Sequence, residues 1–465
     1  MIREFNAKDA LADILSNVGV DPSMMERIEI TGTDPILPSK FLIGTAGAGV
    51  IGATGLAASE LWRLRTGRIQ DVSIDVRAAA IGMRADTYLR KADNSARDKA
   101  TPFGGFYKGK DGRWILLHCN FPHHAAGILK VLGCAGERAA VAEAISTWNI
   151  PELEATCTEA GLVVAMVRSN EEWAKHPQSL AVDALPLIEI ERIGDSPPEP
   201  FMEGERPLSG IRALDLTRVI AGPMCGRTLA EHGADVMRVA GPHLPFVDSL
   251  VIDTGNGKLS THIDLRNETG RETLRGLASD TDIFCQGYRP GGLGSYGFSP
   301  EEVAKIRPGV VYVSLCAYGR AGPWSGKRGF DTLVQCCTGL VNEQTGDEEI
   351  PRHVPAQLLD YITGYLAAFG GMTALARRAE HGGSYLVRVS LCQTAHWVKR
   401  LGRLSQDIGH VSVPSLEDVS DLMTVSETPF GRIRHIAPIV ELSETPPYWA
   451  RPAVPLGAHE AVWPD

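Results

Sequence analysis

Ile211-Arg212-Ala213-Leu214-Asp215-Leu216 reads as a buried strand, Pro223 to His232 as a helix that Gly233 stops, and Asp235-Val236-Met237-Arg238-Val239 as a second strand. Strand, crossover helix and strand in so short a span open a βαβ unit. The alternation continues outward through a strand at 260–265, a helix at 269–278, a strand at 282–285, a helix at 300–306 and a strand at 310–315. Such a pattern gives an α/β fold, a mostly parallel sheet flanked by helices, with ligands beyond the carboxyl ends of the strands. Upstream, 102–193 reads as a smaller α+β unit, with a strand from Arg113 to His118 and helices at 125–132 and 139–148. Asp195-Ser196-Pro197-Pro198-Glu199-Pro200 follows, and its prolines remove backbone donors and fix an extended chain, so a linker and a domain boundary are expected near 200.

The chain has 465 residues, 44% of them hydrophobic and 22% charged, the composition of a folded globular protein with room for several domains. Its net charge of −10 argues against nucleic acid as a partner, because neutralising phosphates takes a basic excess. An anionic ligand needs local cations instead. The cysteines, from Cys119 to Cys392, lack CxxC or CxxxC spacing and read as reduced thiols, so neither a disulfide framework nor a metal site is expected. Met1 to Asp21 mixes Arg3, Glu4, Lys8, Asp9 and Asp13 with short apolar pairs, unlike a signal or transit peptide, and the expected location is cytoplasmic.

Phe41 to Leu61 is apolar, but Glu60 interrupts it and Arg63 and Arg65 follow, so a helix packed inside the protein is expected and no membrane span. Within it Gly47-Ala48-Gly49-Val50-Ile51-Gly52 fits GxGxxG, which has meaning for a nicotinamide dehydrogenase only on a strand-turn-helix. The same segment recurs later in the chain. At one constant offset Gly49, Gly55, Arg63, Gly67 and Val72 fall opposite Gly364, Gly370, Arg378, Gly382 and Val387, and both copies read as a small-residue helix, a basic end, a glycine and a short strand. Helix packing is therefore the preferred reading.

Four segments after strands join glycine or proline to a cation: Thr217-Arg218-Val219-Ile220-Ala221-Gly222-Pro223, Asn256-Gly257-Lys258, Tyr288-Arg289-Pro290-Gly291-Gly292, and Tyr318-Gly319-Arg320-Ala321-Gly322-Pro323. Open amides at a helix start beside Lys or Arg suit a phosphate-bearing ligand, whereas the plain alternative is turns with solvated cations. A fifth segment, Lys327-Arg328-Gly329-Phe330-Asp331, leads into a short helix and sets Asp331 at its N-cap. There the helix end and the two cations favour an ionised carboxylate, available as nucleophile or base. The plain alternative is a capping aspartate. His123 and His124 have no ligand partners at metal spacing and read as surface or structural residues. GxSxG, a Walker loop and HExxH do not occur.

Together Leu214-Asp215-Leu216-Thr217-Arg218-Val219-Ile220-Ala221-Gly222-Pro223, Gly233-Ala234-Asp235-Val236, Asn256-Gly257-Lys258, Tyr288-Arg289-Pro290-Gly291, Gly319-Arg320-Ala321-Gly322-Pro323 and Arg328-Gly329-Phe330-Asp331 resemble family III CoA-transferases, the CaiB/BaiF family. The resemblance implies a Rossmann-like half over 206–400 that binds CoA. It implies transfer of CoA between an acyl-CoA and a carboxylic acid, with Asp331 as the nucleophile that forms a mixed anhydride and then an aspartyl-CoA thioester. Ile220, Ala221, Gly222, Lys258, Arg289, Tyr318 and Gly319 are then the expected CoA contacts, with Lys258 and Arg289 on the phosphates, and no metal takes part. Asp111-Gly112-Arg113-Trp114 and 171–178 resemble the family's small domain, placed here before the sheet. The implied organisation is a partial large-domain segment over 1–100, the small domain over 101–200, the CoA-binding domain, and a tail over 401–465 that returns across the large domain. The chain departs from the family pattern at Ala240, where glutamate is common, and at Leu259. Related enzymes form interlocked dimers, so a homodimer is expected. Two alternatives are an α-methylacyl-CoA racemase or epimerase, in which histidine commonly precedes the aspartate where this chain has Phe330, and a non-catalytic CoA-binding protein.

Overall fold

The computed structural model describes residues 5–91, 101–405 and 408–464; Arg3 and Glu4 of the leader reading and the expected boundary at residue 100 lie outside the described residues. The chain begins with a small unit in which the helix α1 (Ile43–Thr66) connects two parallel strands, β1 (Ile28–Thr31) and β2 (Val72–Asp75), and β2 runs into α2 (Val76–Gly82). Next, β3 (Gly105–Lys108), β4 (Trp114–Leu117) and β5 (Val164–Met166) form the antiparallel sheet of the smaller α+β unit. Then come β6 (Glu189–Gly194), β7 (Arg212–Leu216), α3 (Ala221–Glu231), β8 (Asp235–Ala240), β9 (Lys258–His262), β10 (Ile283–Gln286) and β11 (Val311–Cys316). The helices α4 (Asp331–Cys337) and α5 (Leu358–His381) precede β12 (Ser384–Ser390) and α6 (Leu391–Arg400), and β13 (Glu441–Leu442) closes the series.

The main sheet has the order β9-β8-β7-β10-β11-β12-β6, parallel throughout except for β6. The order reverses between β7 and β10, and the crevice at that switch point is where an open parallel sheet receives a ligand. Alternate residues feed two cores. Ala213, Val236, Ile283 and Val313 face the helices α3 and α5, while Leu214, Met237, Phe284 and Tyr312 face the other layer. All four residues of β10 are buried, as befits a central strand covered on both faces.

One expectation holds here and one changes. Gly47 to Gly52 lies in the interior of α1, which packs against α5, so its amides are spent on helix bonds and the dinucleotide loop is excluded. The strand β6 belongs to the main sheet, antiparallel to β12, so the chain enters that sheet before the proline linker. Its Glu-Ile-Glu-Arg-Ile pattern suits a half-exposed edge. The tail crosses the opposite edge: Arg451 pairs with Asp235 at 2.8 Å, His459 N donates to Ser260 O at 2.8 Å, and Trp463 Nε1 donates to Leu277 O at 3.1 Å. Among the described residues no helix is long and apolar enough to cross a membrane.

The recurrence seen in the sequence is a recurrence of structure. β1-α1-β2-α2 repeats β11-α5-β12-α6, and Asp75 and Ser390 cap the helices that follow through Ala78 N and Gln393 N. β13 lies antiparallel on β2 as β6 does on β12. Each closing strand has crossed over, since β6 follows the first unit along the chain yet joins the second, and β13 follows the second yet joins the first.

Candidate active site

Asp331 is the first residue of α4 and is 1% exposed. Its carboxylate does not cap its own helix. One oxygen accepts backbone N–H bonds from Leu359 at 2.7 Å and Asp360 at 3.0 Å, at the start of α5, and the other accepts from Gln335 Nε2. Gln335 is itself fixed, its Oε1 accepting from Val354 N at 3.0 Å. Burial pushes the Asp331 carboxyl up to about 6, against the pull of these donors. The expected lowering by Lys327 and Arg328 is absent because both side chains are occupied elsewhere. Lys327 lies over the Trp324 ring at 4.0 Å, and Arg328 donates to Gly161 O at 2.6 Å. The Asp360 carboxyl is raised as well, by burial and by the neighbouring Asp331 charge.

Two cavities meet beside this group. A cleft of about 390 Å³ beyond the switch point is lined by Arg218, Arg289, Lys327 and Arg328 among others, a cationic site in an acidic protein. An inner cavity of about 620 Å³ contains Asp331, and its walls draw on distant parts of the chain, among them Arg84, Asp86 and Thr87, Leu116 to Asn120 of the small unit, the turn Val219-Ile220 and the stretch His353 to Gln357. Val219, Ile220, Phe330 and Asp360 line both and mark the crossing. Val219 has φ of 71°, the single positive value at a non-glycine among the described residues, and strain in a β-branched residue held at such a place belongs to functional sites. The turn is close-packed, since a Cβ on Gly222 would stand 2.3 Å from Thr217 Cβ. The small unit reaches the site by packing Leu116, Val163 and Ala165 on Leu333 and Cys336 of α4.

The sequence model of CoA-transferase family III matches residues 23–191 and 208–408. The chain belongs to CoA-transferase family III. It is 37% identical over 202 residues to the acetyl-coenzyme A transferase nodX of Hypoxylon pulicicidum, covering 42% of this chain and 34% of that protein. To the succinyl-CoA:glutarate CoA-transferase of Mus musculus it is 29% identical over 206 residues, 42% of this chain and 47% of that one. The crystal structure of a CAIB/BAIF family protein from Brucella suis is similar at 27% identity and a TM-score of 0.38, over 41% of this chain and 55% of that one. The chain thus spans about half the length, or less, of these relatives.

The contacts that family resemblance implies divide in the structure. Ile220, Ala221, Gly222 and Arg289 line the cationic cleft. Lys258 does not. It is 1% exposed, its Nζ donating to Asp215 at 2.7 Å and to Pro223 O at 2.6 Å, and burial pushes its pKa down to about 8. Asp215 in turn accepts from Thr217 N at 3.1 Å, so Lys258 braces the 217–223 turn from beneath. Tyr318 and Gly319 are also displaced from the cleft: Tyr318 is buried against Trp324, its carbonyl accepting from Gln178 Nε2 at 2.7 Å, and the neighbouring Ala317 lines the cleft instead. Arg218, Lys327 and Arg328 lay in quoted segments without being chosen as contacts. His123 and His124, read as surface or structural, line the cleft as well, and burial with neighbouring charge pushes His124 down to about 4. Among the described residues no group of His, Cys, Asp and Glu is arranged to hold a metal.

Proposed function

We propose that this chain moves CoA between an acyl-CoA and a carboxylic acid, with Asp331 as the covalent carrier. One observation supports the reading above the rest: a buried, mostly ionised carboxylate stands in the inner cavity, and that cavity meets a cationic cleft at Val219, Ile220, Phe330 and Asp360. The phosphates of CoA belong with Arg218, Arg289 and Arg328, and the thioester belongs at the crossing. An Asp331 oxygen attacks the thioester carbonyl and expels CoA thiolate, leaving an acyl-aspartyl anhydride. The thiolate then attacks the aspartyl carbonyl, releasing the first acid and leaving an aspartyl-CoA thioester. The acceptor carboxylate attacks that thioester, forms a second anhydride and frees the thiolate, which takes the new acyl group and restores Asp331. Asp360 lines the crossing, and burial together with the Asp331 charge favours its protonated form, in which it offers an O–H donor there. The amides of Leu359 and Asp360 hold Asp331 in one orientation throughout.

The test is mass spectrometry after mixing with a panel of acyl-CoAs. A CoA adduct on the peptide containing Asp331, absent in Asp331→Asn, is the expected result. Full transfer activity in Asp331→Asn overturns the reading, and α-deuteration in deuterated water without CoA exchange assigns the racemase instead.

A further inference from the structure

The inner cavity has an unusual charge inventory. Its lining includes three carboxylates, Asp86, Asp331 and Asp360, and two histidines, His118 and His353, both pushed by burial down to about 4 and so uncharged at neutral pH. Among the described lining residues Arg84 is the one cation. It arrives from the first unit, just after α2, not from the sheet that bears Asp331. One guanidinium arm donates to Pro355 O and the group lies 5.6 Å from the Tyr88 ring centroid, while its buried Nε has no partner. No carboxylate among the described residues forms an ion pair with it, and Asp86 is engaged by the Tyr361 hydroxyl at 3.4 Å. A planar guanidinium on a cavity wall with no carboxylate paired to it matches a carboxylate ligand, and its unpartnered buried Nε costs free energy.

Position decides which carboxylate. The residues shared by both cavities mark where a thioester meets Asp331, and Arg84 is not among them; it lines the inner cavity alone. A chain of hydrogen bonds separates the two by several residues, since Arg84 donates to Pro355 O while Gln335 Nε2 donates both to Ala356 O at 3.3 Å and to Asp331. The anion at Arg84 is therefore neither a CoA phosphate nor the carboxylate undergoing exchange. We infer that Arg84 is a specificity-determining residue that binds the distal, non-reacting carboxylate of a dicarboxylic acid substrate. The inference rests on the CoA-transfer reading and names the substrate class for it. No bond forms or breaks at Arg84; it orients the acid so that the other carboxylate reaches the aspartyl thioester.

The test measures isotope exchange between each free acid and its own CoA thioester, comparing succinate and glutarate with the length-matched butyrate and valerate. The wild type is expected to exchange the dicarboxylic pairs with kcat/KM about tenfold or more above the monocarboxylic pairs. Arg84→Met should erase that ratio through a raised KM for the dicarboxylic acids, leaving the monocarboxylic rates unchanged, which also shows that the variant is folded. Arg84→Lys should restore part of the ratio. Equal exchange of matched pairs by the wild type, or an unchanged ratio in Arg84→Met, overturns the role of Arg84 and leaves CoA transfer standing. An absence of exchange with every pair removes both.

Discussion

Asp331 and Asp34 occupy corresponding places in the two repeated units, and Asp331 lines the inner cavity whereas Asp34 is packed against Val76 and the start of its helix. Asp34 accepts N–H bonds from Gly44 at 3.0 Å and Thr45 at 2.7 Å, the second and third residues of α1, just as Asp331 accepts from the second and third residues of α5. In both, burial raises the carboxyl pKa. The difference lies in what fills the adjoining space. Residues 332–357 separate Asp331 from its helix and include α4, against which the small unit packs. Residues 35–42 alone link Asp34 to α1, and Val76 closes in so tightly that a Cβ on Gly44 would meet Val76 Cγ1 at 2.6 Å and Asp34 Oδ1 at 2.8 Å. A carboxylate tethered to a helix start is thus a property of the frame, and the proposed reactivity of Asp331 goes with the cavity beside it.

The sharpest way to break this comparison is to remove both carboxylates in turn. Asp331→Ala should lower exchange on the order of a thousandfold or more, since a covalent carrier has no substitute. Asp34→Ala should leave kcat within about twofold in the same assay but lose about 1–3 kcal/mol in urea unfolding, because two amides lose their acceptor. Within the second unit, Lys258→Met should cost about 3–5 kcal/mol by stranding Asp215. Arg289→Ala, at an exposed position on the cleft, should leave unfolding nearly unchanged and raise the KM for acyl-CoA about tenfold. The reverse outcome would return Lys258 to the phosphates.

pH sharpens it further. The folded pKa of Asp331, about 6, lies above its ordinary 3.8, so its contribution to stability is complete below 3.8 and is lost as pH rises through about 6. The proposed nucleophilic role needs the ionised form, so activity should rise across the same window. Urea unfolding from pH 4 to 7.5 should show a slope that Asp331→Asn removes, on the order of 2 kcal/mol in total. Asp34 should add stability in the same direction with no matching change in rate. The smallest effect is expected of Gly44→Ala, about 1–2 kcal/mol of overpacking against Val76 with exchange intact.

Much of the second unit was legible because its elements carry local signals. Continuous apolar strands, helices stopped by glycine and a cation after each strand located the strands of the sheet and the segments that line the cleft, but not the strand order that sets the switch point. The edge strand β6 was missed because its pairing with β12 is remote and its pattern polar. The sequence also could not say which cation faces the cleft: Lys258 and Arg289 look alike as letters, yet Gly257, with φ of 82°, and the first turn of α3 direct Lys258 onto Asp215. The recurrence of glycines pointed to a repeat without exposing Asp34, since the loop before α1 is far shorter than the one before α5. That correspondence lives in hydrogen bonds to two amides, which no spacing encodes.

The exchange of closing strands governs the order in which a growing chain can mature. β6 leaves the ribosome long before β12, its only strand neighbour, and β2 waits for β13, nearly the whole length of the polypeptide later. Neither sheet can be finished during synthesis of the first half, so nascent β6 must stay unpaired until the second half arrives. Completion of either sheet therefore waits for the second half of the chain.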